Sequence, residues 1–287
     1  MRVSYVNGQY VPHHHASVAM EDRGYQFADG IYEVIVFFGR RLLDEKLHLQ
    51  RLERSLGELG IAMPMSTQAL SLIIRELMQR NAYRNGLIYM QVTRGVAPRN
   101  HIFSAALTPV LTMAVMPLKS PTASMLNHGV SAISQPDLRW GRCDIKSIGL
   151  LANSLAKNAA AKEKAYEALL VDANGMVTEG SATNAYMVKD GVVYTHPATH
   201  DILGGVRRIV LQRLCEETQT RFVERPFSLQ EAQQADELFI TSASSNVLPI
   251  TTLDGKKIGS GTPGSVTKRL IELYAEHVTQ QTGHLWN

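Results

Sequence analysis

Two stripes of apolar residues recur at helical spacing in the first third of the chain. The leucines within residues 45–59 follow one face of a helix, and Gly60 closes the pattern as a cap. A second stripe over residues 70–78 follows Ser66 and Thr67, either of which can cap a helix through its hydroxyl. The pattern predicts two amphipathic helices.

Shorter apolar runs predict strands around these helices. VSYV and QYV alternate around Asn7-Gly8, a strong two-residue hairpin turn, and GIYEVIVFFG and RRLLD predict strands that meet at Gly39. GLIYMQVTRG and TPVLTMAVMPL predict further sheet strands. The first part of the chain is therefore expected to be α+β.

The rest of the chain predicts a second mixed region, which begins with a strand before Lys146. The elements expected after Lys146 are an Ala-rich helix to about Ala168, short strands with turns at 173–175 and 189–191, a helix opened by Gly204-Gly205, one more strand in DELFITSAS, a turn at Asp254-Gly255, and a closing helix from about Ser265 to Gln280.

The length of 287 residues exceeds the usual size of a single domain, so we expect two. PLKSPTASM combines two prolines with small polar residues, which is typical of a linker, and we place the linker at about residues 117–130. The prediction is a small N-terminal α+β domain over 1–120 and a larger C-terminal domain over 121–287. The expected fold class is mixed α/β, of the α+β type.

Composition narrows the function classes. The 29 Lys and Arg residues against 26 Asp and Glu give a charge of +3, and they are spread along the chain, so no nucleic-acid footprint is evident. The two cysteines, Cys143 and Cys215, fit a reducing compartment in which thiols stay free. No apolar run resembles a signal peptide or a membrane span, so we expect a cytoplasmic protein with neither nucleic-acid nor membrane partners.

Lys146 is the first candidate for chemistry. Most lysines are solvated, but beside apolar residues the pKa of the amine falls and it can form a Schiff base with a carbonyl. Glu179 in VTEGSATN stands at the end of a predicted strand. A lysine that carries pyridoxal phosphate needs a carboxylate at the ring nitrogen, and Glu179 suits that role.

Two turns offer donors for a phosphate. Gly204-Gly205-Val206-Arg207 opens a helix, where the first N–H groups bind anions, and TSASSN at 241–246 offers hydroxyls. Either turn can equally be an ordinary cap or loop. Arg51, on the flank of the leucine stripe, is by default a solvent-facing charge and alternatively a phosphate contact.

The loop TRGVAPRNH presents Arg99 and His101, which suit a substrate carboxylate. For two other candidate sites, the sequence favours a structural role. The histidines at 13–15 lack paired carboxylates, so we expect no metal, and Cys143 lacks a general base in its motif, so we expect a packed thiol.

Five motifs, EDRGYQFADGIYEV, VTRGVAPRNH, LRWGRCDIKS, VTEGSATN and THPATHDILGGVRR, occur in consistent order over nearly the whole chain. Together they resemble those of the D-amino-acid aminotransferases, within the fold-type IV pyridoxal-phosphate enzymes that also include branched-chain aminotransferases. The resemblance implies a two-domain fold with pyridoxal 5'-phosphate between the domains, the C-terminal domain binding it, and a homodimer.

The resemblance also implies roles for individual residues. For the cofactor, Lys146 corresponds to the Schiff-base lysine and Glu179 to the partner of the pyridine nitrogen. Arg51 corresponds to a phosphate ligand and Leu203 to the residue packed on the ring. The other residues expected around the phosphate are Gly205, Val206, Arg207, Ser181, Ser242 and Ala243. Tyr32, Arg99 and His101 correspond to a trap for the substrate carboxylate, in which the latter two reach across from the other subunit.

Two positions depart from the family pattern. Relatives commonly have Ile-Thr where this chain has Val206-Arg207, and Thr where it has Ala243. The backbone donors survive both changes, whereas the hydroxyl that relatives supply would have to come from Ser242, Ser244 or Ser181.

The function that the resemblance implies is a ping-pong exchange of an amino group between a D-amino acid, such as D-alanine, and a 2-oxo acid, such as 2-oxoglutarate. Lys146 would hold the cofactor and transfer the proton. The alternatives are a branched-chain L-aminotransferase or an (R)-amine transaminase, more distantly aminodeoxychorismate lyase, and, from another class, a non-catalytic protein that binds the cofactor or another anion.

Overall fold

The computed structural model describes residues 2–104 and 106–285, which divide into two units. The first contains the described residues up to Leu118 together with Ile145–Gly149 and Gln281–His284, and the second contains Lys119–Asp144, Leu150–Gln280 and Leu285. The sequence-based division assigned everything after residue 120 to one domain. The segment that carries Lys146 instead clusters with the first unit, because its backbone bonds to a strand there.

Strands and two long helices build the first unit. The strands are β1 (Val3–Val6), β2 (Gln9–Pro12), β3 (Gly30–Phe38), β4 (Arg41–Leu42), β5 (Gly86–Thr93) and β6 (Val110–Met116). The helices are α1 (Arg23–Phe27), α2 (Glu45–Glu58) and α3 (Thr67–Gln79). The strands pair antiparallel in the order β2-β1-β6-β5-β3-β4. The predicted hairpin, the strand pair at Gly39 and both amphipathic helices are confirmed.

The period of two along β3 separates its side chains between two environments. Ile31 and Ile35 are fully buried in the core that also receives the leucines of α2, and Glu33 points to the same face. Tyr32 and Val34 alternate with them and are only half-buried. Strand β3 therefore presents Tyr32 on the face opposite the one that carries Glu33.

A large mixed sheet forms the second unit. Its strands are β7 (Val130–Pro136), β8 (Glu167–Val171), β9 (Met176–Gly180), β10 (Asn184–Lys189), β11 (Val192–Thr195), β12 (Phe222–Glu224), β13 (Phe227–Ser228), β14 (Glu237–Ser242), β15 (Asn246–Leu253) and β16 (Lys256–Lys257). The order is β12-β11-β10-β14-β15-β7-β8-β9-β13, with β16 paired to β15. The helices are α4 (Ala123–His128), α5 (Leu151–Lys162), α6 (Val206–Glu217), α7 (Leu229–Gln233) and α8 (Ser265–Thr282).

Two predicted elements differ from the structure. The Ala-rich helix ends at Lys162 instead of Ala168, because Lys164 adopts a left-handed φ of 56° and Ala168 is buried in β8 between β7 and β9. The prediction of only one more strand before the closing helix is wrong, since β15 follows β14. Pro249 lies within β15 opposite Phe239 of β14, and it is tolerated because pairing with β7 begins only at Ile250.

The predicted linker contains a short helix. α4 begins within the residues assigned to the linker, and the hydroxyl of Thr122 caps it by accepting from Met125 N at 3.2 Å. No helix in the described ranges is long and apolar enough to cross a membrane.

Candidate active site

The backbone of Lys146 is bonded to the start of β3. Tyr32 N donates to Lys146 O at 3.0 Å, and Ile148 N donates to Gly30 O at 3.2 Å. Strand β7 ends at Pro136, and an irregular stretch over residues 137–145 separates it from Lys146. The position of the lysine is thus set by β3 and not by the strand before it in sequence.

The Lys146 side chain lies over the ring of Tyr32. Its Nζ is 4.1 Å from the ring centroid, which is cation–π distance. The Tyr32 ring in turn stacks on Tyr89 of β5 with centroids 5.7 Å apart. Burial and the neighbouring Tyr32 raise the pKa of Tyr89 to about 12, so that phenol stays neutral at physiological pH. Sequence reasoning placed Lys146 and Tyr32 in separate motifs, and the structure brings them together.

Arg51 of α2 forms a bidentate ion pair with Glu33 of β3. Arg51 Nη2 lies 2.6 Å from Glu33 Oε1 and Nε lies 2.9 Å from Oε2, while His48 Nδ1 is 3.3 Å from Oε1. Burial alone would raise the pKa of Glu33, but the charges and hydrogen bonds of Arg51 and His48 outweigh it and hold that pKa well below its usual range. The default of a solvent-facing Arg51 is wrong, because its side chain is 11% exposed and ion-paired. Its contact with a phosphate stays a prediction.

Arg99 and His101 are exposed on the loop after β5 and share one aromatic neighbour. The guanidinium carbon of Arg99 is 4.6 Å from the centroid of the Phe27 ring, and the His101 ring is 5.4 Å from it. The two residues predicted to act as a pair therefore meet at the end of α1.

In the second unit, Glu179 is the penultimate residue of β9, and its buried carboxylate is ion-paired with Arg139. Arg139 is itself held by Asp137, whose Oδ2 accepts from Nη2 at 2.6 Å and whose Oδ1 accepts from Nε at 2.9 Å. Burial alone would lower the pKa of Arg139, but the hydrogen bond with Asp137 and the charges of Glu179 and Asp137 raise it overall. The arrangement fixes a negative charge at the end of β9.

Asn184 of β10 connects Glu179 to the residues that precede α6. Asn184 Nδ2 donates to Glu179 Oε2 at 3.0 Å and to Leu203 O at 2.9 Å, and Leu203 N donates to Glu179 Oε2 at 3.2 Å. A Cβ on Gly205 would lie 2.0 Å from Asn184 Oδ1. Only glycine lets α6 begin this close to the amide.

Arg207 joins the two turns predicted to hold a phosphate. α6 begins at Val206 with Gly205 as N-cap, a residue that has no side chain to cap the first turn. The buried Arg207 donates from Nη2 to Ala243 O at 3.2 Å. In the same β14–β15 turn, Ser242 Oγ accepts from Ser245 N at 3.1 Å. The two turns are therefore next to each other, and their binding of an anion stays a prediction.

Ser181 already has a strong partner. Its hydroxyl donates to Glu167, which is fully buried on β8, and its carbonyl oxygen accepts from Asn153 Nδ2 at 2.8 Å. A serine hydroxyl has one proton to donate. In this arrangement Ser181 does not offer that proton to a phosphate, and its cofactor role stays a prediction.

The remaining candidates are placed as follows. Burial raises the pKa of the Cys143 thiol to about 11, and Cys143 Sγ donates to Trp140 O at 3.1 Å. Residues 13–15 form a short 3₁₀ turn, where His13 Nδ1 lies 2.7 Å from Ser4 Oγ. Within the described residues, no group of three or more potential metal ligands was found.

Sequence reasoning missed four residues that order the candidate site. They are Phe27, Glu33, Arg139 and Asn184. Each lies inside a quoted motif. Glu33 and Asn184 are polar side chains in otherwise largely apolar strands, Arg139 stands between Leu138 and Trp140, and Phe27 is an aromatic residue among charged ones. Their partners are distant in sequence, and only folding identifies them.

Three comparisons place the chain among known proteins. Residues 30–253 match the family Amino-transferase class IV. A D-alanine aminotransferase of Bacillus licheniformis is 42% identical over 276 residues, which are 96% of this chain and 97% of that protein. A T.th. branched-chain amino acid aminotransferase, solved with pyridoxamine 5'-phosphate, is 26% identical with a TM-score of 0.89 over 97% of this chain and 94% of its own. The branched-chain amino acid aminotransferase of Escherichia coli shares the fold, with a TM-score of 0.90 and 24% identity over 99% of this chain and 97% of its own.

Proposed function

Because the chain belongs to the class IV aminotransferases, we propose that it is a pyridoxal-5'-phosphate-dependent D-amino-acid aminotransferase. It would exchange the amino group between a D-amino acid such as D-alanine and a 2-oxo acid such as 2-oxoglutarate, in a ping-pong sequence of two half-reactions. The D-alanine aminotransferase name of the 42% identical relative supports the substrate class. The pyridoxamine 5'-phosphate in the T.th. structure supports the cofactor.

The residues present fit this cofactor. The Glu179 carboxylate, held in place by Arg139, is the negative group that a protonated ring nitrogen needs. Gly205 brings no side chain to the first turn of α6, where backbone N–H groups and the helix dipole favour an anion. Arg51 and Ser242 are proposed as further phosphate contacts, and Leu203 as the contact on the ring face. When bound, pyridoxal phosphate supplies an electron sink for the carbanion at the substrate Cα.

Lys146 is proposed to hold the cofactor and to move the proton at the substrate Cα. The single observation that carries the proposal is the position of its amine, 4.1 Å from the Tyr32 centroid on a backbone segment bonded to β3. A reactive lysine needs a fixed backbone and a side chain that can still reach the substrate. A half-buried side chain on a fixed segment satisfies both needs. The stacked Tyr32 phenol beside it can donate its O–H to a substrate carboxylate.

Arg99 and His101 are proposed to bind the substrate carboxylate together with Tyr32. A guanidinium grips a carboxylate through two parallel hydrogen bonds, and the imidazole adds a third donor. Because the pair grips the carboxylate while Lys146 delivers its proton to one face, a single enantiomer would fit. We assign the D-enantiomer on the strength of the relative's name and of this Arg-x-His loop.

A homodimer is proposed as the active form. The segment 18–25 carries exposed Val18, Met20 and Tyr25. It is bonded to the loop 93–101 that carries Arg99 and His101, called the trap loop below, because Ala97 N donates to Glu21 O at 3.2 Å. Ile102 next to the trap is 81% exposed. We call residues 18–25 and 96–103 the apolar rim. Such a surface suits a second copy of the chain.

A cytoplasmic location remains a proposal. It is supported by the state of the two cysteines, because both Cys143 and Cys215 are free thiols.

The test is the first half-reaction. The cofactor-loaded protein is mixed separately with D-alanine, L-leucine and (R)-1-phenylethylamine, and the absorption band of the lysine-bound cofactor is followed. Rapid loss with D-alanine alone is the expected result. Loss with L-leucine or with the amine instead would assign the branched-chain or amine activity, and a stable band with all three would leave only cofactor binding.

Two variants control this test. Lys146→Ala should show neither the band nor turnover, whereas Lys162→Ala, an exposed lysine on α5, should behave as the parent protein does. Turnover by Lys146→Ala would contradict the assignment of the lysine.

A further inference from the structure

The exposed pair Arg99 and His101 is organised by one aromatic ring. Phe27 ends α1, and its ring lies 4.6 Å from the Arg99 guanidinium carbon and 5.4 Å from the His101 ring centroid. An exposed arginine otherwise samples many rotamers, and ordering it for each binding event reduces affinity. A ring beneath the guanidinium attracts the cation and leaves its N–H edge available to a ligand.

The ring itself is fixed by the way α1 is anchored. Asp22 caps α1 by accepting from Gly24 N at 2.8 Å, and its second oxygen accepts from Thr93 Oγ1 of β5 at 2.9 Å. Ala28 ends α1 in the left-handed conformation with φ of 54°. Asp29 O, just after α1, accepts from Arg94 N at 3.1 Å, so the five-residue helix is held at both ends and gives the Phe27 side chain a defined direction.

The backbone of the trap loop is tied to the same helix. Arg23, next to the cap, is 3% exposed and donates from Nη1 to Asn100 O at 2.6 Å. Asp29 holds Arg23 in place by accepting from its Nε at 2.8 Å. The Arg23 guanidinium also lies 4.6 Å from the Phe27 centroid and 5.3 Å from that of Phe103. Residues on both sides of His101 are therefore fixed to α1.

We propose that Phe27 is the positioning residue of the carboxylate trap: its ring preorganises Arg99 and His101 for the substrate carboxylate. The inference rests on the proposed function and extends it to a residue that acts through Arg99 and His101. It predicts that Phe27 contributes to the binding of carboxylates and not to the proton transfer at Lys146.

The experiment compares Phe27→Leu and Phe27→Tyr in the cofactor-loaded protein. Phe27→Leu should raise KM for D-alanine about tenfold, equal to about 1.4 kcal/mol, with kcat changed by less than about twofold. Phe27→Tyr keeps the ring and should stay within about twofold of the parent. The dissociation constant of propanoate, a carboxylate without an amine, measured by calorimetry, should rise by the same tenfold factor in Phe27→Leu alone.

Tyr194→Leu is the matched control, because it removes a comparable contact, 4.8 Å between Arg225 and the Tyr194 ring, from the second unit. It should change neither KM nor propanoate binding. If Phe27→Leu does not fold, Phe27→Met, which keeps bulk without a ring, gives the same readout. Unchanged propanoate binding in Phe27→Leu, an equal loss in Tyr194→Leu, or no recovery in Phe27→Tyr would each overturn the inference. Failure of the parent protein to bind propanoate or to turn over D-alanine would instead count against the proposed function.

Discussion

At the scale of single residues, each of the two units holds a buried ion pair among its candidate residues. The side chains of Arg139 and Glu179 are 6% and 8% exposed, and those of Arg51 and Glu33 are 11% and 1% exposed. Buried pairs gain little over apolar packing, but removing one partner leaves an uncompensated charge. Each pair therefore holds its two charged side chains in a defined position.

Arg139→Gln tests the first pair. It leaves Asp137 and Glu179 without their shared cation, so the free energy of unfolding should fall by about 3 kcal/mol, and the affinity for pyridoxal phosphate should fall with it. Denaturant unfolding and cofactor titration of the apoprotein measure the two effects. Arg269→Gln is the control, since the side chains of Arg269 and its partner Glu272 are 55% and 64% exposed, and it should cost less than about 1 kcal/mol. Equal effects of both variants would contradict a special role for Arg139.

Glu33→Gln tests the second pair through its pH dependence. The native pKa of Glu33 is depressed, so its contribution is fully present above the unfolded value of about 4.3 and is lost progressively as the pH falls toward the native value. The variant should be less stable than the parent by about 3 kcal/mol at pH 7, and the difference should shrink as the pH is lowered below about 4. Urea unfolding at several pH values measures it.

The control for this series is Glu76→Gln, whose partner Arg80 is half-exposed on the same helix face. That variant should change stability by less than about 0.5 kcal/mol at any of these pH values. A difference between Glu33→Gln and the parent that is independent of pH would mean that lost packing, and not charge, explains the effect.

At the scale of elements, the start of α6 is constrained by the neighbouring strand. The strands β9 and β10 are far apart in sheet order, yet Asn184 of β10 bonds to Glu179 of β9 and to the carbonyl of Leu203. Through these bonds the orientation of the carboxylate and the starting point of the helix depend on one amide. Any side chain that displaces this amide should disturb both.

Adjacent glycines provide a paired test of this constraint. Gly205→Ala places a Cβ 2.0 Å from Asn184 Oδ1 and should destabilise the protein by about 2 kcal/mol, because the amide must move. Gly204→Ala finds no atom within 4 Å and should be neutral or stabilising by about 0.5 kcal/mol. Thermal melting and the dissociation constant of pyridoxal phosphate should separate the two variants. Similar behaviour of both would show that the helix start adapts.

At the scale of the whole molecule, activity should depend on self-association. The apolar rim carries the trap residues, so Met20→Glu, at a position 71% exposed, should raise the dimer dissociation constant at least tenfold. Its activity should then rise with protein concentration by mass action. Leu72→Glu, 69% exposed on α3, should leave the dimer unchanged. Sedimentation of the parent protein as an active monomer would exclude the proposed assembly.

Local order in the chain was enough to predict several features of this protein. The helical stripes at residues 45–59 and 70–78 and the hairpin at Asn7-Gly8 were predictable, because a period of 3.6 or 2 and a turn dipeptide act over a few residues. Lys146, Glu179 and the Arg99–His101 loop were identifiable as candidates, because their motifs carry the family resemblance within short stretches.

The partners that these residues meet are set by folding in three dimensions. Ala168 follows good helix formers but lies in a strand, because neighbouring strands bury it on both sides. Lys146 belongs with β3 and Tyr32, and Glu179 with Arg139, through contacts between residues that are distant in sequence. Burial and pairing of this kind arise only when the chain closes on itself, so no local pattern encodes them.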